Sequence, residues 1–429
     1  DPASNLADVF EQPIGHQVTA IAGVSNLWAM EIDSDRATEE YIDRAMAPIR
    51  AAFPEQIVAV MEEQMSGPCT SEVAAFDRFV DFLEPAQADA PLQFDTVIFD
   101  TAPTGHTIRL LELPTEWSQT IEAAEQGSGQ TCLGPAAAIQ DSKHKYERAM
   151  LTLRDGGQTS FTFVLHPEAT SIKETKRAMD ELGKLGIHTH RLIINGIVPP
   201  QAADGNDLFA GRRAMQTGYL GRIERELPLP TQRMYLLDDE IKGADKLRQV
   251  GRLLFDGLAY TYSARANGHA NGSSAKVVDP ALLERFSPAA YVPLVSPNGN
   301  SRVVFFAGKG GVGKTVASCT TAVWLAGQGY KTLLLTTDPA AHLGDVLGVP
   351  VGNEVLAIPG IDNLWAANID PKATATVYKK RILDDARERG RPETAIQVMA
   401  EELDSPCTEE IAAFDQFIEY AAGDEWDVI

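Results

Sequence analysis

Residues 303–315 read VVFFAGKGGVGKT, an apolar run that passes through glycines into a lysine and a threonine. Gly308, Lys309, Gly310, Gly311, Val312, Gly313, Lys314 and Thr315 match the spacing G-x-x-x-x-G-K-[ST], and they stand where that pattern must stand, after a strand-like run and before a helix-like one. Glycines let the backbone turn so that successive N–H groups face one point, and the N-terminus of the following helix favours negative charge there. The chemistry is phosphate binding: Lys314 can reach the β and γ phosphates of a nucleotide, and the Thr315 hydroxyl can ligate Mg²⁺.

Lys309 directly follows the first glycine. A solvated loop lysine is the plain alternative. This spacing is nevertheless that of the deviant phosphate loop of ATPases that dimerise over their nucleotides, where the extra lysine reaches the partner's γ phosphate as an electrostatic clamp. Asp338 follows the strand-like TLLLTT and Asp100 ends TVIFD, which puts each carboxylate at the carboxyl edge of a parallel strand, where ligands bind in such sheets. One carboxylate is expected to activate the attacking water and the other to hold Mg²⁺ through its water shell. A helix N-cap before proline is the competing role for Asp338 and for Asp1, its copy.

That copy belongs to a long repeat. Asp1–Asp33 aligns without a gap on Asp338–Asp370 with 18 of 33 positions identical, and CTSEVAAFDRF at Cys69 answers CTEEIAAFDQF at Cys407 after a one-residue shift. A period above 300 residues is that of a duplicated domain, not of a short solenoid repeat. The first copy runs on through QFDTVIFDTAPTGH, while the second reaches only EWDVI, and no second copy of the phosphate loop is present. Both halves are therefore expected to be incomplete in this sequence. Between them, SARANGHANGSSAKVVDP and SPNGN are rich in Gly, Ser and Asn and read as the brackets of a linker. The expected organisation is a first half over residues 1–262, a linker over 263–300 and a second half over 301–429.

The elements that must position these residues are legible as short apolar runs alternating with longer helical periods. TVIFD, FTFVL, RLIINGIV and VVFFAG read as buried strands, and SIKETKRAMDELGKLG as a surface helix. Such alternation implies an α/β fold. The expectation is two tandem deviant-P-loop NTPase domains, each a mainly parallel sheet covered by helices on both faces, forming a pseudo-dimer.

Composition narrows the partners. A formal net charge of −23 over 429 residues repels phosphate backbones and anionic headgroups, which argues against nucleic acid. The longest apolar runs fall far short of the roughly 20 residues of a membrane-spanning helix, so no span is expected. Four cysteines without a CxxC pair fit a reduced compartment better than a disulfide framework.

GKGGVGKT, TTDPAAHLGDVL and FDTAPTGHTIRLL together resemble the arsenite-pump ATPases of ArsA type, relatives of the ATPases that deliver tail-anchored membrane proteins, and the resemblance covers the chain apart from the linker. Fused tandem halves are the pump arrangement; the targeting relatives are usually single units that dimerise. The resemblance implies ATP as substrate with Mg²⁺, an arsenite-transporting membrane protein as partner, an arsenic metallochaperone as a candidate donor, and a cytoplasmic location at the inner face of the membrane. It also implies Asn195, in IINGIV, as an adenine contact, against the plain reading of a turn residue.

The cysteines bear on the branch. Cys69 in SGPCTSE and Cys407 in SPCTEE each follow a proline suited to the first position of a helix, so each sulfur is expected in a first turn, where the helix dipole stabilises a thiolate. Cys132 in QTCLGP would be a third sulfur, and three thiolates suit a soft pyramidal ion such as As(III) or Sb(III). In the family the matching cysteines are the metalloid ligands, with the matches to His106 and Ser405 contributing. A structural zinc site of three cysteines and His106 is the chemical competitor. Cys319, on the helix behind the phosphate loop, reads as structural, Trp28 and Trp365 as duplicated core, and the acid-rich stretch 66–84 as a helix surface. The leading reading is thus an ATP-hydrolysing pump subunit for arsenite or antimonite, with an ATP-switched targeting factor as runner-up.

Overall fold

The computed structural model describes residues 5–65, 68–83, 94–101, 111, 130–131, 134–237, 239–256, 292, 295–297, 303–308, 311–337, 343–404 and 406–429. The chain forms two compact units, Asp1–Ala264 and Arg265–Ile429. Most of the expected linker, 263–300, lies outside the described residues.

Unit 1 opens with α1 (Leu6–Phe10) and a short antiparallel pair, β1 (Thr19–Ala20) and β2 (Trp28–Ala29), then α2 (Ser34–Ala52), α3 (Glu55–Gln64) and α4 (Pro68–Val80). A two-residue ribbon, β3 (Gln130–Thr131) with β4 (Gly134–Pro135), leads into α5 (Ala136–Arg154). Then strand and helix alternate: β5 (Phe161–Leu165), α6 (Ala169–Lys184), β6 (Thr189–Ile197), α7 (Pro200–Ala203), α8 (Asp207–Glu226), β7 (Thr231–Tyr235) and α9 (Ala244–Phe255). β5, β6 and β7 pair in that order, all parallel. Because parallel neighbours need a crossover, α6 and α8 are carried onto the sheet. Ile172 of α6 and Ile223 of α8 are both fully buried with Leu165, Leu192, Ile194 and Ile197 of the strands.

Unit 2 repeats the pattern with α10 (Lys314–Gly327), β8 (Thr332–Thr336), α11 (Leu343–Leu347), β9 (Leu356–Ala357), β10 (Leu364–Asn368), α12 (Pro371–Glu388), α13 (Glu393–Glu402) and α14 (Pro406–Ala422). β10 lies between β8, to which it is parallel, and the antiparallel β9. On the other side of β8 comes the chain end: the Leu333 N–H donates to the Val428 carbonyl at 2.9 Å, and the Val304 N–H donates to the Ile429 carbonyl at 2.8 Å. Cys319, Ala322 and Ala326 of α10 pack with Leu334, Leu364 and Ala366 of the sheet.

The repeat is structural in detail. Asn26 and Asn363 share a left-handed backbone, φ 60° and 62°. Asp33 caps α2 through the amides of Asp35 and Arg36, and Asp370 caps α12 through those of Lys372 and Ala373. Trp28 stacks edgewise on Phe94 with ring centroids 5.6 Å apart, and Trp365 meets Trp426 at 5.2 Å.

Two of the expected buried strands do not form. Residues 96–100, TVIFD, carry no regular structure, and Ile98 is 86% exposed; residues 303–308, VVFFAG, form no ladder, and Phe305 is 74% exposed. An apolar run becomes a strand only when neighbours satisfy its backbone groups. In unit 2 the phrase EWDVI lies between β8 and residue 304, whereas no described strand pairs with residues 96–100. FTFVL and RLIINGI do form strands, because β5, β6 and β7 follow one another within one unit.

Candidate functional site

The phosphate loop is delivered by residues 303–308 and closed by α10. Gly308, Gly311 and Gly313 have φ of 154°, 77° and 93°. These backbone states are open to glycine and strained for side-chain-bearing residues. A Cβ on Gly308 would also stand 3.3 Å from the Val312 Cγ2. Gly313 is the N-cap of α10, and no side chain caps that helix start. Lys314 and Thr315 are the first two helical residues, both half-buried, and the Thr315 carbonyl accepts from the Ser318 hydroxyl at 3.0 Å. A glycine turn opening onto a helix N-terminus fits a nucleotide's phosphates, and Thr315 in the first turn suits a hard cation beside them. Lys309 and Gly310 lie outside the described residues.

β8 ends at Thr336 and the exposed Thr337, so Asp338, itself outside the described residues, follows the carboxyl end of a strand that Val428 and Ile429 separate from residue 304. Asp100 is described and exposed; Asp1 is not described.

Asn195 sits near the end of β6, where the pairing with β7 slips between Ile194 and Ile197. Its side-chain carbonyl accepts the Gly196 N–H at 2.7 Å, the local bond of a turn-forming asparagine. Sequence reasoning missed what holds this bulge. Gln216, 2% exposed, donates to the Gly196 carbonyl at 2.9 Å and accepts from the Val198 N–H at 2.9 Å, while Arg213 donates to the Val198 carbonyl at 2.7 Å. Gly196 has φ 69°, and a Cβ there would stand 2.7 Å from the Nδ1 of His166, the residue just after β5. His166 and the Asn195 bulge thus meet at the carboxyl end of the unit 1 sheet. The only sequence signal for this was glycine next to a strand-end asparagine.

Cys69 and Cys407 are each the second residue of a helix that a proline opens, Pro68 for α4 and Pro406 for α14. Their sulfurs, together with Cys132, His106 and Ser405, lie outside the described residues. Among the described residues no cluster of three or more His, Cys, Asp or Glu could hold a metal. Cys319 is free and buried, and burial pushes its thiol up to about 11, which keeps it protonated and structural.

A family model described as anion-transporting ATPase, of ArsA type, matches residues 1–256 and 301–429. A Halobacterium salinarum protein provisionally named an arsenical pump-driving ATPase is 43% identical over 439 residues, covering 100% of this chain and 66% of that protein. An arsenical pump-driving ATPase of Escherichia coli is 35% identical over 419 residues, 97% of this chain and 67% of the relative. The ATPase get3 of Botryotinia fuckeliana is 30% identical over 274 residues, 59% of this chain and 78% of its own length. The chain thus spans about two thirds of the length of the arsenical-pump relatives it matches. With a glycine-built phosphate loop ahead of α10 and a family match over both units, the chain belongs to the ArsA-type anion-transporting ATPases.

Proposed function

We propose that the chain is the nucleotide-hydrolysing part of an arsenical pump-driving ATPase. ATP is the substrate, Mg²⁺ the cofactor, and As(III) or Sb(III) the activating ligand. The observation that carries the nucleotide reading is the conformation of Gly308, Gly311 and Gly313 at the uncapped N-terminus of α10. Gly308–Thr315 cradle the phosphates, Lys314 neutralises charge on the transferring group, and Lys309 serves as the clamp. Thr315 and Asp100 hold Mg²⁺, Asp338 and its copy Asp1 position the attacking water, and Asn195 meets the adenine. Mg²⁺, when bound, would supply neutralisation of the charge that builds on the phosphates.

Cys69, Cys132 and Cys407, with His106 and Ser405, form the metalloid site. The placement of Cys69 and Cys407 in the first turns of α4 and α14 supports thiolate character for both. Metalloid binding raises hydrolysis through a preference for the state in which nucleotide sites at the interface of the two halves are complete. The partner is an arsenite-transporting membrane protein, with a metallochaperone as a metalloid donor and a peripheral cytoplasmic location beside the transporter. No described helix is long and apolar enough to cross a membrane itself.

Steady-state ATPase assays of the full-length protein with arsenite, antimonite, zinc and an apolar helical peptide test this reading. Arsenite or antimonite should raise turnover, and Cys69→Ser or Cys407→Ser should erase the rise. Lys314→Ala should cut turnover at this site by about 100-fold or more, the scale of losing one charge stabiliser. Activation by zinc in place of metalloid would reassign the thiolates. Activation by the apolar peptide alone, as expected of a targeting factor, would overturn the pump reading.

A further inference from the structure

Gln216 lies midway along α8 and is buried with Ile223 of the same helix. A buried amide costs free energy unless both its donor and its acceptor find partners, and an apolar side chain would fill the same space without that demand. Both ends of Gln216 are satisfied, and by one short piece of β6. Nε2 donates to the Gly196 carbonyl and Oε1 accepts the Val198 N–H, each at 2.9 Å.

That piece is the bulge that follows Asn195. Ile194 pairs with Arg233 and Ile197 with Tyr235, so three steps along β6 match two along β7. A bulge of this kind re-aims side chains at the end of a strand. Beyond it the chain returns to the ladder, where the Leu236 N–H donates to the Ile197 carbonyl at 2.8 Å. Gly196, at φ 69°, is the turning point. Its N–H donates to the Asn195 side-chain carbonyl at 2.7 Å, and its own carbonyl is the one that Gln216 holds. The aim of the Asn195 amide and the grip of Gln216 therefore meet on one glycine. Arg213, one turn earlier on α8, fixes the far side of the bulge by donating to the Val198 carbonyl at 2.7 Å.

We infer that Gln216 is a positioning residue for nucleotide-base recognition in unit 1: by fixing Gly196 it sets the direction in which Asn195 presents its amide to the base. This rests on the reading of Asn195 as the adenine contact. Gln216 acts through Asn195, so its loss should count only for ligands that carry a base, and only while Asn195 is present.

Photolabelling of the full-length protein with 2-azido-ATP tests this, read by mass spectrometry of the tryptic peptide 192–212, which reports on unit 1 alone. Gln216→Leu and Asn195→Ala should each raise the concentration for half-maximal labelling at least tenfold. The double variant should be no weaker than Asn195→Ala, because residues that act through one another are not additive. Tripolyphosphate, which has the phosphates and no base, should compete equally well, within about twofold, in all four proteins. If Gln216→Leu fails to fold by circular dichroism, Gln216→Glu carries the same expectation, since it keeps the acceptor for Val198 and removes the donor to Gly196. Weaker labelling of Asn195→Ala with normal labelling of the Gln216 variants overturns the inference and leaves the adenine reading standing. Normal labelling of Asn195→Ala removes both. Losses that add in the double variant, or tripolyphosphate weakened as much as the nucleotide, reduce Gln216 to a structural residue and overturn the inference as well.

Discussion

Asp77 and Asp415 occupy the same position of a duplicated phrase in different dielectric surroundings. Asp77 is 2% exposed and receives both Arg44 at 2.6 Å and Lys145 at 2.8 Å, whereas Asp415 is partly open to water. Asp77 itself is buried, and each hydrogen bond it makes to a charged partner is worth about 1.5–3 kcal/mol, while a solvated pair contributes about 1 kcal/mol or less. Asp77→Ala should therefore lower unfolding stability by about 3 kcal/mol and Asp415→Ala by under about 1 kcal/mol, read from urea midpoints of the two variants. Equal losses would contradict the contrast in burial. Cys319 gives a second residue-scale test. Burial raises its thiol from the usual 9.0 to about 11, so between these values the unfolded chain has released a proton that the native chain keeps. Its contribution to stability is then complete below pH 9 and declines as pH rises through 9 towards 11. Burial, reinforced by the negative charge of Asp77, also raises the Tyr146 phenol, which extends the decline to higher pH. At pH 8 the native thiol should react with iodoacetamide about 100-fold more slowly than in urea, by mass spectrometry of the Cys319 peptide. Matching rates would show that this thiol is not buried as described.

At the scale of elements, the helix starts were legible because capping is local chemistry. Asp33 and Asp370 accept from amides two and three residues on, at 3.0 and 3.2 Å and at 2.9 and 3.1 Å. Asp33→Ala and Asp370→Ala should each cost about 1 kcal/mol, and the double variant about the sum, since each cap acts on its own helix. Thermal melts of the three variants check this, and a double variant no worse than either single one would rule out independent caps. The proline-opened helices at Pro68 and Pro406 follow the same local logic, and they carry Cys69 and Cys407 into first turns. Strands were less legible. FTFVL and VVFFAG look alike as apolar runs, yet only the first is a strand, because β6 lies beside it. The Asn195 bulge was equally hidden, since it depends on Gln216, 20 residues from the Gly196 carbonyl it holds.

For the whole molecule, the repeat, the phosphate loop and the α/β alternation were in the sequence, because each is written in the order and spacing of residues near one another. GKGGVGKT fixes its own backbone through glycines, and the match of residues 1–256 and 301–429 to one family model rests on that linear record. The order β5-β6-β7, the place of the chain end beside β8, and the exposure of Ile98 and Phe305 came only with the tertiary structure. So did the cover over α4. The apolar spacing and the acids of that helix are legible in the sequence, but burial belongs to pairs of elements, and it is Tyr146 and Lys145 of α5 that close over Phe76 and Asp77. A sequence records what a surface can bind; packing decides whether water or another helix meets it.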